Sequence, residues 1–262
     1  MAGVSSRVRV LTVCSVLVVA LLAVAAFAPL PFSLAQPGST ADVLGSRRGE
    51  QVITVEGADT RKTTGQLRAT TIVATGPDAD VRLGDVIDSW FRTDRAVMPR
   101  DSVYPVGNTT AEVEKHNFAD MRKSQDAATE AALRYLHRSS KDVKVTLDLA
   151  RIGGPSAGLL FTLGIIDKID GDGRGGELTG GRTIAGTGTI EPDGTVGPVG
   201  GVQLKTQAAK RDGATVFLVP KGECKEAEAV RPEGLQLIPV TTLKDSVSSL
   251  RALAAGQSVP TC

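Results

Sequence analysis

The sequence predicts an α/β (α+β) chain with an N-terminal apolar helix, and three observations predict it. From Val143 onward, β-branched runs alternate with three helix-period runs, the order of a layered α/β structure. Before that, Val52–Val55 and Gln66–Ala74 read as strands bounded by Gly and Asp, making a β-rich segment. At the start, no charge falls between Arg9 and Asp42, and Val10–Ala28 is nearly all apolar, long enough to cross a bilayer as a helix.

Two origins are open for that first stretch. Ser33-Leu34-Ala35 offers the small residues of a signal-peptidase site, so it could be a leader that is removed. A retained anchor is favoured, because the apolar run exceeds a usual signal core. Arg7 and Arg9 precede it, which puts the rest of the chain outside the cytoplasm. Cys14 lies within the span as a packing residue. Gln36–Arg48, with Pro, Gly, Ser and Thr, reads as a short exit from the membrane.

The net charge of +1 across 262 residues, without a basic block, argues against a nucleic-acid surface. With aromatic residues at 3%, the core must be built from Val, Leu, Ile and Ala. Leu83, Val86, Ile87, Trp90 and Phe91 recur at helical spacing, an apolar stripe that puts Trp90 in the core. Arg95–Asn108 is irregular. Thr109-x-x-Glu112 is a capping box opening a long helix to about His137, with Phe118, Met121, Ala128, Ala132 and Tyr135 on its buried side.

The chemistry centres on Ile152-Gly153-Gly154-Pro155-Ser156-Ala157-Gly158. A strand, Val143–Ala150, enters this turn and an apolar helix, Leu159–Ile169, leaves it. Gly153, Gly154 and Pro155 fix the corner, and Ser156 stands at the helix start, where unpaired N–H groups and the positive dipole end make an oxyanion pocket. A serine there can also be a plain N-cap, so a nucleophile needs a base. The two histidines, His116 and His137, sit together on the preceding helix as solvated residues, a poor fit to a Ser-His-Asp triad, and no ligand-type neighbours suggest a metal. A lysine base remains. Gly200-Gly201-Val202-Gln203-Leu204-Lys205 supplies one on a second glycine turn entering a helix.

Together these segments resemble the proteolytic domain of the Lon (S16) family, in which a Pro-Ser-Ala-Gly serine pairs with a Gly-Gly-x-x-x-Lys lysine. The resemblance runs over about Val143–Leu253 and takes in Thr187-Gly188-Thr189-Ile190, a Pro192-Asp193-Gly194 turn and Val196-Gly197-Pro198-Val199. More narrowly, the chain is similar to membrane-anchored, ATPase-less bacterial Lon-like proteins, without their usual PDZ module. The resemblance implies a ribosomal-protein-S5-domain-2-like fold and a Ser156–Lys205 dyad. It also implies an orienting role for Thr187, with Gly154 and Ala157 supporting the site. One departure is Gly153, where many Lon proteases carry an aspartate.

On this basis the expected organisation is an anchor or signal over 1–35, a β-rich extracytoplasmic segment over 36–108, a long helix and link over 109–139, the proteolytic domain over 140–256, and a tail over 257–262. The expected activity is ATP-independent endopeptidase action on unfolded or extended polypeptides at the membrane, with no cofactor, no ATP and a possible homo-oligomer. Alternatives are a catalytically inactive interaction module on the same domain, and a small-molecule kinase using Gly153–Gly158 as an anion nest. The kinase reading lacks a second nucleotide element.

Two further features complete the reading. Cys224 and Cys262, both expected outside the cytoplasm, are a candidate disulfide. Asp170-Gly171-Asp172-Gly173-Arg174-Gly175-Gly176-Glu177 begins like a calcium loop. Arg174 and Gly181 stand where ligands belong, so it is read as a flexible glycine loop.

Overall fold

The computed structural model describes residues 6–47, 49–105, 109–148 and 154–262. Helix α1 (Ser6–Phe27) is followed by β1 (Phe32–Asp42), β2 (Ser46–Arg47), β3 (Glu50–Gln51), β4 (Ile53–Glu56) and β5 (Gln66–Ala74). Next come α2 (Leu83–Trp90), β6 (Ala96–Pro99), α3 (Arg100–Val103), α4 (Thr110–Tyr135) and β7 (Lys144–Leu147). A 3-10 turn, Pro155–Ala157, runs into α5 (Gly158–Ile169). Then follow β8 (Thr183–Gly186), β9 (Thr189–Ile190), β10 (Val196–Gly197), α6 (Val202–Arg211), β11 (Val216–Pro220), α7 (Cys224–Ala229), β12 (Gln236–Val240) and α8 (Leu243–Ala254).

The main sheet has six strands in the order β12-β11-β8-β5-β1-β6. β12, β11, β8 and β5 are mutually parallel, whereas β1 runs antiparallel to both β5 and β6. The parallel part is built by helical crossovers, α6 between β8 and β11 and α7 between β11 and β12. All five residues of β11 are buried, as its unbroken apolar sequence requires of a strand covered on both faces.

Alternate residues of these strands feed two cores. Ile184, Val216, Leu218 and Ile238 join α4, α5 and α8 on one face. Ala185, Phe217, Val219 and Leu237 join α6 and α7 on the other. α5 is apolar all round and buried from Gly158 to Asp167, so it forms the centre of the first layer. Gly158 has to be glycine: a Cβ there would sit 2.8 Å from Ser124 Oγ and 2.9 Å from Ile190 Cγ2. α8 opens with a capping box, Thr242 Oγ1 accepting from Asp245 N and the Asp245 carboxylate accepting from Thr242 N, both at 3.1 Å.

Several expectations change. Gln36–Arg48 is no membrane exit: most of it belongs to β1, which pairs on both sides, and Ser33 and Ala35 are buried. Its Pro37 and Gly38 fall at an irregularity in the pairing with β5, which is how a proline is tolerated in that strand. The α2 stripe forms at the expected spacing, but Leu83, Ile87, Trp90 and Phe91 face outward, so Trp90 is not a core residue. Spacing tells which side chains share a face, not what that face meets.

The capping box of α4 is present, with Thr109 Oγ1 accepting from Glu112 N at 3.3 Å. Met121, Ala128 and Ala132 are buried as expected. Phe118 is instead exposed, under the Arg122 guanidinium at 6.0 Å. His116 Nε2 lies 3.1 Å from Asp120 Oδ2, one turn on.

The glycine loop after α5 is pinned rather than loose. Arg61 donates to Asp170 O at 3.1 Å, to Gly176 O at 2.6 Å and to Gly175 O. Asp172 Oδ1 accepts from Arg174 N and Gly176 N, and Glu177 accepts from Thr64 N and Gly65 N. The Arg61 guanidinium thus sits among the carbonyls of the loop read from sequence as flexible.

Candidate active site

The segment expected to be strand over Val143–Ala150 forms β7 only over Lys144–Leu147, antiparallel to β4. Ala150, Ile152 and Gly153 lie outside the described residues. From Gly154 the chain closes a 3-10 turn: Gly154 O accepts from Ala157 N at 3.2 Å, and Pro155 O accepts from Gly158 N. Gly154 is extended, at φ −128°, and among the described residues nothing lies within 4 Å of where its Cβ would be.

Ser156 is half-buried, and no side-chain capping bond is present at either the 3-10 turn or α5. Among the described residues its hydroxyl is therefore not spent on capping. Its carbonyl, by contrast, is held twice, by Gly188 N at 2.9 Å and by Thr187 Oγ1 at 3.2 Å. One residue earlier, Pro155 O accepts from Ser124 Oγ on α4 at 2.9 Å. The serine turn is thus anchored from two neighbouring segments.

Lys205 arrives from the other layer. Gly201 at the start of α6 has φ 69°, left-handed backbone that glycine adopts without strain, and its Cβ would meet Ile72 at 3.1 Å. That entry directs the Lys205 side of α6 against β1, β5 and β8. Val202 and Leu204 are buried with it, and Lys205 itself is only 4% exposed. Its Nζ donates to Thr187 Oγ1 at 3.1 Å.

Thr187 is the junction. The sequence suggested one strand from Thr183 to Ile190. The chain instead leaves the main sheet after Gly186 and starts a second strand at Thr189. Thr187 N still donates to Leu218 O on β11, at 3.1 Å, so the residue is fixed just beyond the C-terminal end of β8. Its hydroxyl proton goes to Ser156 O, which leaves the oxygen to accept from Lys205. The end of a parallel strand, between helices of opposite layers, is where α/β sheets open a crevice.

Burial pushes the Lys205 amine down to about 8, while the carboxylates of Glu226 and Glu223 pull it the other way. An amine with that value is substantially neutral at mildly alkaline pH, as a proton acceptor must be. Burial first, and then Glu226, push the Glu223 carboxyl up.

Of the residues singled out from sequence, Ser156, Thr187 and Lys205 are joined by this chain of bonds, with Gly154 and Ala157 in the same turn. Cys224 and Cys262 lie elsewhere, their Sγ atoms 2.10 Å and their Cα atoms 5.3 Å apart, tying the tail to the start of α7. Sequence reasoning passed over Ser124, although it falls on the Met121–Ala128–Ala132 stripe, where a small polar residue is conspicuous. It also passed over Glu223 and Glu226, which no spacing rule connects to Lys205.

Comparison with known proteins finds Lon proteases among the relatives of this chain. Lon protease 2 of Bacillus subtilis (strain 168) is 33% identical over 99 residues, 38% of this chain and 17% of that protein. The Lon protease of Chloroflexus aggregans (strain MD-66 / DSM 9485) is 37% identical over 95 residues, 35% of this chain and 11% of that protein. The Lon protease of Rickettsia felis (strain ATCC VR-1525 / URRWXCal2) is 30% identical over 121 residues, 44% of this chain and 15% of that protein. The chain thus spans less than a fifth of the length of these relatives. The Lon protease (S16) C-terminal proteolytic domain matches residues 122–252, half of the chain, from within α4 through the serine turn and Lys205 to α8. With Ser156, Thr187 and Lys205 all inside that match, the chain belongs to the Lon protease (S16) C-terminal proteolytic domain family.

Proposed function

We propose that the chain is a membrane-anchored, extracytoplasmic serine endopeptidase that uses a Ser156–Lys205 dyad, without ATP, on polypeptides that are already extended. The observation that carries the reading is the burial of Lys205 at 4% exposure with its amine donating to Thr187, which is itself bonded to the main chain of Ser156. An isolated buried lysine is costly, and a family with a serine protease domain gives that cost a use.

In this reading neutral Lys205 takes the Ser156 hydroxyl proton as Oγ attacks the scissile carbonyl. The tetrahedral intermediate collapses to an acyl-enzyme as the Lys205 ammonium returns that proton to the leaving amine. Water, deprotonated in turn by Lys205, then releases the acyl group. The oxyanion would sit against main-chain N–H groups of the serine turn. The Ala157 N–H is engaged with Gly154 O at 3.2 Å and must share its hydrogen to take part.

Substrate has a place to dock. β7 is paired on one side by β4, and among the described residues its other edge is unpaired. An extended peptide could add to that edge, on the strand that precedes the serine turn in sequence. In this reading, which uses no ATP, the peptide reaches the edge already extended.

For the anchor, α1 has 22 residues, no buried side chain and high hydropathy, and at about 1.5 Å per residue it matches the thickness of a bilayer core. Cleavage after Ala35 would cut β1 where Ala35 pairs with both Ala74 and Ala96, which favours retention over removal.

The test is digestion of an unstructured protein by the full chain in lipid nanodiscs, without ATP, beside Ser156→Ala and Lys205→Ala. Cleavage by the wild type alone supports the reading. Silence of the wild type over a broad substrate set, with a folded protein, replaces it with the interaction module.

A further inference from the structure

Resting on the reading of α1 as a membrane anchor, we propose that α2 is a second membrane contact. Its apolar face, Leu83, Ile87, Trp90 and the following Phe91, would lie in the boundary between headgroups and acyl chains of the bilayer that α1 crosses.

The face is built for this. Leu83, Ile87 and Trp90 recur at i, i+4 and i+7 and lie on one side of the helix, with Phe91 beside them. They are 37%, 51%, 77% and 83% exposed in that order, although the chain holds only one Trp and six Phe. The opposite side of α2 is what touches the protein, through buried Ser89. Clustered aromatic side chains left in water at a helix end are otherwise a liability, and the bilayer interface is where amphipathic rings are stable.

Position names the occupant. α1 ends at Phe27, and three residues later Leu30 N donates to Val81 O at 2.7 Å, just before α2 begins. Three residues reach at most about 10 Å, so the start of α2 is confined close to the point where α1 leaves the bilayer. α1 and α2 are also in direct contact. An eight-residue helix adds only about 12 Å, so all of α2 stays within reach of the interfacial zone.

Charge names the kind of surface. Arg95 pairs with Asp88 at 2.8 Å, Arg92 pairs with Asp94 at 3.0 Å, and the Asp85 carboxylate accepts from Arg82 N at 2.9 Å. The segment from Arg82 to Arg95 carries three basic and three acidic side chains, so it offers no net positive field to anionic lipid. Binding is therefore apolar and takes place on zwitterionic lipid, with little dependence on salt.

The contact has a consequence for the site. Gln207 Nε2, two residues from Lys205 and on the opposite side of α6, donates to Thr93 O at 2.6 Å. The segment that seats on lipid is thereby tied to the helix that carries Lys205.

Trp90 is the protein's single tryptophan, and Cys14 in α1 is a free, exposed cysteine, so the two contacts can be read separately in one protein. The full chain, as Ser156→Ala to prevent self-digestion, is reconstituted in phosphatidylcholine vesicles with and without bromine on the acyl chains. Trp90 emission is recorded, and in a parallel sample a fluorophore on Cys14. The proposal expects blue-shifted Trp90 emission, strong quenching of both probes by brominated lipid, and poor access of Trp90 to iodide. The Leu83→Ser, Ile87→Ser, Phe91→Ser triple variant should lose the Trp90 quenching and keep the Cys14 quenching, with an unchanged unfolding midpoint.

Cys14 quenched but Trp90 open to iodide overturns the proposal and leaves the anchor standing. Trp90 shielded from both iodide and brominated lipid overturns it in favour of a second copy on that face. Neither probe quenched removes the anchor and the proposal with it.

Discussion

Lys205 Nζ and Thr187 Oγ1 lie 3.1 Å apart, and the same Thr187 hydroxyl donates to the carbonyl of Ser156 at 3.2 Å. With its proton committed to Ser156, Thr187 can face Lys205 only as an acceptor. That fixes one N–H of the neutral amine and leaves its lone pair to point elsewhere. A base has to present that lone pair to the serine hydroxyl.

Thr187→Val keeps the shape and removes both bonds. We expect kcat to fall by about tenfold, the worth of roughly one hydrogen bond, with little change in KM. Steady-state kinetics on a fluorogenic peptide check it, and a pure KM effect would assign Thr187 to substrate binding.

The rate should rise with pH through about 8, because only neutral Lys205 accepts a proton and burial holds its amine at about 8. A kcat/KM profile from pH 6 to 10 reads this limb directly. A limb near pH 6.5 would point to a histidine.

Glu226 and Glu223 favour the charged lysine. Glu226→Gln should therefore shift the limb to lower pH and raise the rate at pH 7, whereas a loss of rate would mean that the acid serves the site in another way. The same pH profile decides it.

Lys205→Met should abolish cleavage and stabilise the fold at neutral pH. The sign follows from linkage. Between pH 8 and 10.5 the unfolded state holds a proton that the folded state has lost, so wild-type stability rises with pH across that window; below it, the buried charge costs the fold in full. The gain at pH 7 is bounded by about 3 kcal/mol, less the lost bond to Thr187. Thermal or urea unfolding at pH 7 measures it, and the difference should shrink above pH 9.

Reduction of the Cys224–Cys262 bridge, which spans 38 residues, should lower stability by about 2–4 kcal/mol. Unfolding of Cys262→Ser beside the oxidised wild type is the check, and equal midpoints would mean that the tail adds nothing.

Much of this was legible in the sequence because it is local. Glycine turns entering helices at Ser156 and Lys205, the Thr109 cap and the apolar run of α5 each follow from neighbouring residues. The rest depends on long-range pairing. Gln36–Arg48 reads as a membrane exit because of its Pro, Gly, Ser and Thr, yet β5 recruits Gln36–Asp42 as part of a strand. The Thr183–Ile190 run hides its break after Gly186, where Thr187 turns its side chain to Ser156 O and Lys205. The α2 stripe declared its spacing but not its surroundings. Ser124, Glu223 and Glu226 approach the site through packing, which no motif records.

The most direct test of the dyad is acylation of Ser156 by a fluorophosphonate across pH, followed by peptide mass spectrometry, in wild type and Lys205→Ala. The account predicts modification at Ser156 alone, with a rate that climbs through about pH 8 in the wild type and is lost in the variant. An unlabelled Ser156, or equal rates in the two proteins, would contradict it.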